Sequence, residues 1–265
     1  VATHTLMIQR LALGEAPAAP QPLAPGAAFA LDERGLLATA WAEAGRVVVW
    51  REATGLTQTV ALPPEMGSAS QPLAVLRLAV EDGGEAHLAW TLAPPSDAAG
   101  DLYYAAASGG NAPTLVAGGV ERFALRADAE GGAQLAWAQA GALYYAQSDD
   151  WGQVQRVASL ASREALFALA AGPGGAGHLV WQEEGQLWYA NAADWAATRQ
   201  RIAEGIEVAW LGAATDGQGC LHLAWAAREG EAAALFYRRL FEPPPQLAVV
   251  YPLEGALLLA DAEAR

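Results

Sequence analysis

Ala133-Gln134-Leu135-Ala136-Trp137, a short loop closing at Gly141, and then Leu143-Tyr144-Tyr145-Ala146 form the stretch that decides how this chain folds. It is preceded by Phe123-Ala124-Leu125-Arg126-Ala127-Asp128 and a Glu130-Gly131-Gly132 turn, and followed by Gln155-Arg156-Val157-Ala158. These four short β-prone runs, here termed strands a to d, are separated by Gly and Asp turns and carry no helical periodicity. That pattern predicts antiparallel sheet.

The same unit recurs along the chain. Leu37-Ala38-Thr39-Ala40-Trp41, His87-Leu88-Ala89-Trp90, His178-Leu179-Val180-Trp181 and His222-Leu223-Ala224-Trp225 repeat strand b, which spaces the tryptophans at intervals of 49, 47, 44 and 44 residues. Strand c returns as Leu102-Tyr103-Tyr104, Leu187-Trp188-Tyr189 and Leu235-Phe236-Tyr237, with Val47 to Trp50 as a divergent first copy. Four strands in about 44 residues is the period of a β-propeller blade. The expected fold is therefore an all-β propeller of four-stranded antiparallel blades, one domain over residues 1–265. The ends read as a shared partial unit. Leu6 to Gln9 and Gln21 to Ala24 have the spacing of strands c and d, Gln246 to Val249 fits a fifth strand d, and Leu257 to Glu263 resembles strand a. Residues 5–26 and 257–265 would then close a ring of six blades and protect its edges. Five blades, or a fragment of a longer array, fit the same count.

Composition narrows the functional classes. The chain has 265 residues, 53% of them apolar, of which 64 are alanine. No apolar run is long enough to span a membrane as a helix. Its 15 basic residues are all arginine, against 29 acidic ones, for a net charge of −14. An acidic surface repels phosphate backbones, so nucleic acid is not an expected partner. The absence of lysine excludes Schiff-base and P-loop lysine chemistry. One cysteine, Cys220, cannot form an intramolecular disulfide, and beside the turn of the fifth unit it reads as a buried inert thiol. The chain opens at Val1 rather than Met, which points to an upstream segment and leaves an exported or cell-envelope bacterial protein as the expected setting.

Repeated residues read as scaffold. The anchor tryptophans share one register and are expected to fill the space between sheets, and Trp210, near the position of Phe123 and Phe167, is expected in the core as well. His87, His178 and His222 precede the anchor Trp by three residues, on strand b of different blades. Strands lie ~4.8 Å apart, so such histidines stand far from each other and cannot share a metal ion whose ligand bonds are ~2 Å. No metal or other cofactor is expected. Asp32, Asp128 and Asp216 lie nine residues before a tryptophan, in the a–b turn, where Asp tightens the backbone.

Ser148-Asp149-Asp150-Trp151-Gly152-Gln153 resembles the Asp-box of sialidase-like propellers, Ser-x-Asp-x-Gly-x-Thr-Trp. Ser148, Asp150 and Gly152 match, Val154 and Gln155 replace the Thr-Trp pair, and Asn191 to Trp195 is a degenerate echo. The resemblance implies a fold-stabilising turn between strands c and d, remote from catalysis. Sialidase chemistry would further imply an arginine triad, a tyrosine nucleophile with a glutamate, and an acid/base aspartate. No arginine recurs at one inner-strand position, and Arg77 and Arg126 lie on inner strands of adjacent units in different registers. No catalytic residue is assigned.

Function is expected on the face that carries the b–c and d–a loops, because loops on a rigid scaffold are where binding diverges. The b–c loops differ most from unit to unit. They carry Glu43, Asp97, Glu183, Glu184, Arg228, Glu229 and Glu231 as candidate binding residues. The expected role is a non-catalytic binding or scaffold module for a protein or carbohydrate ligand. A sialidase-like glycoside hydrolase and a purely structural domain are the alternatives, and oligomeric state is not legible.

Overall fold

The structure, a computed structural model, describes residues 7–8, 21–22, 27–32, 35–43, 45–63, 73–81, 84–92, 99–110, 112–128, 130–229 and 232–240. At the N-terminus β1 (Met7–Ile8) pairs antiparallel with β2 (Gln21–Pro22), in the segments read as strands c and d. Four four-stranded antiparallel sheets follow, each a meander in chain order. They are β3 (Ala28–Leu31) to β6 (Thr57–Ala61) by way of β4 (Leu37–Glu43) and β5 (Arg46–Arg51), then β7 (Leu73–Val80), β8 (Ala86–Leu92), β9 (Gly100–Ala106) and β10 (Thr114–Val120). The third comprises β11 (Arg122–Ala127), β12 (Ala133–Gln139), β13 (Ala142–Gln147) and β14 (Gln155–Ser159). The fourth comprises β15 (Phe167–Ala171), β16 (Gly177–Glu183), β17 (Gln186–Asn191) and β18 (Gln200–Glu204). A fifth sheet holds β19 (Glu207–Thr215), β20 (Leu221–Glu229) and β21 (Ala232–Leu240). The expected strands at Gln246 to Val249 and Leu257 to Glu263 lie outside the described residues.

Successive sheets meet through their first strands: β3 lies against β7, β7 against β11, β11 against β15 and β15 against β19. Sequential meander sheets joined at their first strands have the blade arrangement of a propeller, with strand a innermost. Strand alternation gives each blade two faces. In the third, Leu135 and Trp137 stand opposite Leu125 and Phe123 on one face, while Ala136 and Ala138 stand opposite Tyr145 and Leu143 on the other. The Trp137 face shares a core with Ala79, Ala89, Leu102 and Tyr104 of the second sheet. The Ala136 face shares another with Leu169, Leu179 and Trp181 of the fourth. The pattern repeats where Trp90 meets Ala38 and Ala40, and where Trp225 meets Ala168 and Ala170. Trp90, Trp137, Trp181 and Trp225 thus each seat on the alanine-bearing face of the preceding blade. An alanine there leaves one methyl group beneath a ring that needs a flat, close surface.

The two end faces lack such cover among the described residues. Phe29 and Leu31 on the Trp41 face of the first sheet are 49% and 60% exposed. On the opposite end, Leu235 and Tyr237 are 75% and 63% exposed.

Trp210 corrects the expectation that it is core: it is 52% exposed. A register shift between Val208 and Trp210 puts Leu211, not Trp210, opposite Trp225, in the place that Phe123 holds opposite Trp137. Trp210 is thereby turned to the uncovered face, with its ring over Gly212, where a Cβ would meet it at 2.6 Å.

The packing predicts that Trp137→Ala costs about 3–5 kcal/mol and Ala136→Leu about 1–3 kcal/mol by overpacking. Trp210→Ala is expected to cost clearly less than Trp137→Ala. Urea unfolding with an unchanged m-value checks all three.

Candidate functional site

The b–c hairpins are built on rigid turns. The β12–β13 and β16–β17 connections are two-residue turns, Ala140-Gly141 and Glu184-Gly185, with φ of 48° and 73° in the first and 51° and 73° in the second. These left-handed pairs suit the right-handed twist of a hairpin, and glycine adopts the second position without strain.

The predicted residues are distributed over several of these hairpins. Glu43 ends β4, is exposed, and accepts a bond from Arg46 Nη2 at 3.4 Å. Glu184 occupies the exposed tip of its turn. Arg228 lies exposed near the end of β20, opposite Glu207 across the ladder. Glu229 ends the same strand, and its side chain is not among the described groups, while Asp97 and Glu231 lie outside the described residues. Glu43, Glu183 with Glu184, and Arg228 therefore occupy the same hairpin end in three different sheets and are not joined by hydrogen bonds among the described residues.

Glu183 has a further role that its sequence position did not announce. Its Oε2 accepts the indole N–H of Trp181 at 3.2 Å and Arg199 Nη2 at 2.7 Å, and the Arg199 guanidinium lies 4.2 Å from the Trp188 ring centroid. Gln139, also two residues after the anchor, accepts the Trp137 indole N–H at 3.2 Å. Where Leu92 and Ala227 hold that place, the indole N–H groups of Trp90 and Trp225 have no hydrogen-bond partner among the described residues. Elsewhere on this face Arg163 pairs with Glu121 at 3.1 Å and Arg201 with Glu204 at 2.9 Å. Much of the acidic character expected at the mouth is thus already neutralised by arginine.

The repeat histidines are scaffold. Nδ1 of His87, His178 and His222 lies 2.8, 2.8 and 2.7 Å from the hydroxyl of Tyr104, Tyr189 and Tyr237 respectively. Each pair joins strands b and c of one sheet. Burial lowers the pKa of His87 and His178 and pushes Tyr104 up to about 12. In the fifth sheet, Asp216 Oδ2 lies 3.0 Å from His222 Nε2. That bond, with backbone N–H groups from Cys220 and Gln218, takes the Asp216 carboxyl down to about 2. Among the described residues no group of three or more His, Cys, Asp or Glu is placed to hold a metal ion.

The a–b turn aspartates act on backbone as expected. Oδ1 of Asp32 accepts Leu36 N at 2.7 Å, that of Asp128 accepts Gly132 N at 2.7 Å, and that of Asp216 accepts Cys220 N at 2.9 Å. At the c–d turn, Ser148 Oγ accepts Ala133 N at 2.8 Å and Asp150 Oδ1 accepts Gly152 N at 2.9 Å. Trp151 of this turn packs on Tyr104 of the preceding sheet at 4.7 Å, as Trp195 packs on Tyr145 at 5.1 Å. A polar depression of about 270 Å³, lined by Tyr145, Gln147, Asp149, Asp150, Gln153 and Gln155, adjoins that turn. Cys220 is fully buried, and its sulfur accepts Arg239 Nη2 at 2.9 Å. No helix among the described residues is long and apolar enough to cross a membrane.

No protein-family model matches the chain, and no curated protein matches it. Solved structures resemble it at low identity. The α-L-arabinanase of Penicillium chrysogenum complexed with arabinobiose is 13% identical over 76% of each chain, with a TM-score of 0.46. A family PL25 ulvan lyase is 11% identical over 82% of this chain and 68% of its own, with a TM-score of 0.47. Regucalcin, a calcium-binding protein from Agrobacterium tumefaciens, is 15% identical over 76% and 68%, with a TM-score of 0.41. At such TM-scores these likenesses carry no argument about chemistry, and the blade assignment rests on the strand order of the chain itself.

Two outcomes follow. Glu183→Ala is expected to cost about 1–2 kcal/mol by stranding a buried indole N–H, whereas Glu183→Gln, copying Gln139, costs less; urea unfolding compares them. The folded state of His87 and His178 binds fewer protons than the unfolded state, whose histidine value is about 6.5. Their unfavourable contribution is therefore absent above that pH and grows as pH falls below it, which lowers stability. Melting temperature is expected to fall from pH 7.5 to 5.5, and to fall less in His87→Gln/His178→Gln, with glutamine as at Gln134.

Proposed function

We propose that the chain is a non-catalytic binding module built on a six-bladed β-propeller, engaging its ligand through the b–c and d–a loop face. The observation that carries this is a repeated frame with unrepeated tips. The β12–β13 and β16–β17 hairpins share one turn geometry, yet they present Gln139-Ala140 in one blade and Glu183-Glu184 in the next. Identical backbones bearing different polar groups are what a ligand-reading surface requires. Glu184 and Arg228 are the contact residues of choice, being exposed and outside the indole and arginine pairings. The ion-paired Glu43 and Glu183 orient the rim.

The sixth blade is assigned to residues 5–26 and 257–265. Supporting this, β1 and β2 pair antiparallel, and the open Trp41 and Tyr237 faces are the two halves of the interface repeated between all other blades. A blade inserted there would cover the Trp41 face on one side and the Tyr237 face on the other. The Ser148–Gly152 turn is, on the same reading, an Asp-box of the sialidase-like kind, supported by the bonds of Ser148 and Asp150 to backbone N–H groups.

Binding to an immobilised glycan panel tests the module, with about a tenfold loss expected in Glu184→Ala/Arg228→Ala, the scale of one charged hydrogen bond. Turnover of fluorogenic glycosides that disappears in Glu184→Gln would sink the non-catalytic reading. Deleting residues 1–26 should lower the melting temperature and raise apolar-dye binding; an unchanged melting curve counts against the sixth blade.

A further inference from the structure

The Tyr237 face of the fifth sheet differs from its counterparts in one respect. Where the third sheet meets Trp181, the shared core includes Ala124 of β11 and, opposite it, Ala136 of β12. Where the fourth meets Trp225, the same places hold Ala168 and Val180. In the fifth sheet they hold Gly212 of β19 and Ala224 of β20, and this seat is already taken. The Trp210 ring lies across it. A Cβ on Gly212 would meet Cη2 of that indole at 2.6 Å and Cζ2 at 2.9 Å, closer than carbon atoms pack. Gly212 is not among the glycines of positive φ, so what it supplies is a close approach for the ring. The register shift after Val208 is what aims Trp210 there.

An occupied seat limits what can cover this face. A further unit with an anchor tryptophan would bring a second indole to the place of the first, and so would the Trp41 face of a second copy. The face is nonetheless apolar: Trp210 is 52%, Leu235 75% and Tyr237 63% exposed. It calls for a strand that brings no indole and is small where the ring stands. In the second to fifth sheets the first-strand residue opposite the anchor is large, as Leu76, Phe123, Phe167 and Leu211. In the third and fifth it lies five residues before the turn aspartate, Asp128 or Asp216. Ala260-Asp261-Ala262-Glu263 repeats Ala127-Asp128-Ala129-Glu130, and five residues before Asp261 stands Ala256. Residues 5–26 and 256–265 contain no tryptophan.

We propose that Trp210 closes the ring by packing its indole on the strand formed by residues 256–262 of the same chain, in the room that Ala256 leaves where other blades carry Leu or Phe. The last seam is then joined by an indole given forward by the fifth blade, whereas the seams between the first five sheets are joined by one received from the following blade. This rests on the six-blade reading above and adds the contact that holds the sixth blade in place. About half an indole, roughly 100 Å², leaves water in that contact, enough for more than about tenfold in the equilibrium for opening the seam. Interfaces in a repeat array are lost one by one, so this seam opens without the others.

Hydrogen exchange of the full chain, followed peptide by peptide, tests the assignment. Amides 257–262 are expected to be protected. Trp210→Ala, which removes the ring, and Gly212→Ala, which displaces it, should each speed their exchange at least about tenfold, while β11, β12 and β13 keep their protection. Ala256→Phe, which fills the room, should do the same, and with Gly212→Ala it carries the test where Trp210→Ala does not fold. Unprotected amides 257–262 in the unaltered chain would remove the six-blade reading and this one with it. Protected amides that exchange equally in all the variants would leave six blades and overturn the role of Trp210. Protection that rises with protein concentration, alongside a dimer in sedimentation velocity, would give the face to a second copy and overturn it as well.

Discussion

The seating of each anchor indole on the alanine face of the preceding blade is the contact on which the rest of the structure depends. Trp90, Trp137 and Trp181 are almost completely buried, and each belongs to a core that spans two sheets. Burying an indole of 150–250 Å² at 25 cal/mol per Å² contributes roughly 4–6 kcal/mol per interface, as an upper figure. A larger residue at Ala136 or Ala89 would lift the ring off the sheet beneath. The contact is also polar in the sense of direction: every blade gives an indole to the one before and receives one from the one after. A linear run of such blades ends in two unlike open faces, which is what Phe29 and Leu31 at one end and Leu235 and Tyr237 at the other display.

Around that contact the buried polar atoms are satisfied blade by blade rather than by a shared rule. Histidine and tyrosine pair across strands b and c in three sheets. In the third, glutamine replaces histidine, and Gln134 and Gln147 both donate to Gly175 O. The indole N–H finds Gln139 or Glu183 in two blades and, among the described residues, nothing in two others. Each stranded group costs about 1–3 kcal/mol, small beside the burial of the ring that carries it. That is why sequence drifts at these positions while the tryptophan stays.

Electrostatics follows the same division between frame and tip. A net charge of −14 promises an acidic mouth, yet Glu43, Glu121, Glu183 and Glu204 each have an arginine within 3.4 Å. Among the described residues, Glu184 at the exposed tip of the rim has no arginine partner. The sign of the whole chain therefore says little about the charge that a ligand meets.

Repeat length, strand order, the four-strand meander and the turn role of Asp32, Asp128 and Asp216 were legible in the sequence. All depend on periods and turn chemistry that act within a few residues. The repeat likewise identified the histidines as scaffold, since one register in different blades forbids their meeting. Trp210 was misread because a one-residue register shift turns a strand over, and nothing local marks where the shift falls. The role of Glu183 was also hidden, because its arginine partner lies 16 residues further along the chain and reaches it only once β17 and β18 have paired. Local patterning determines which strands form and how they alternate. Only the stacking of one blade on the next decides which charges find partners, since that depends on distances no linear pattern contains.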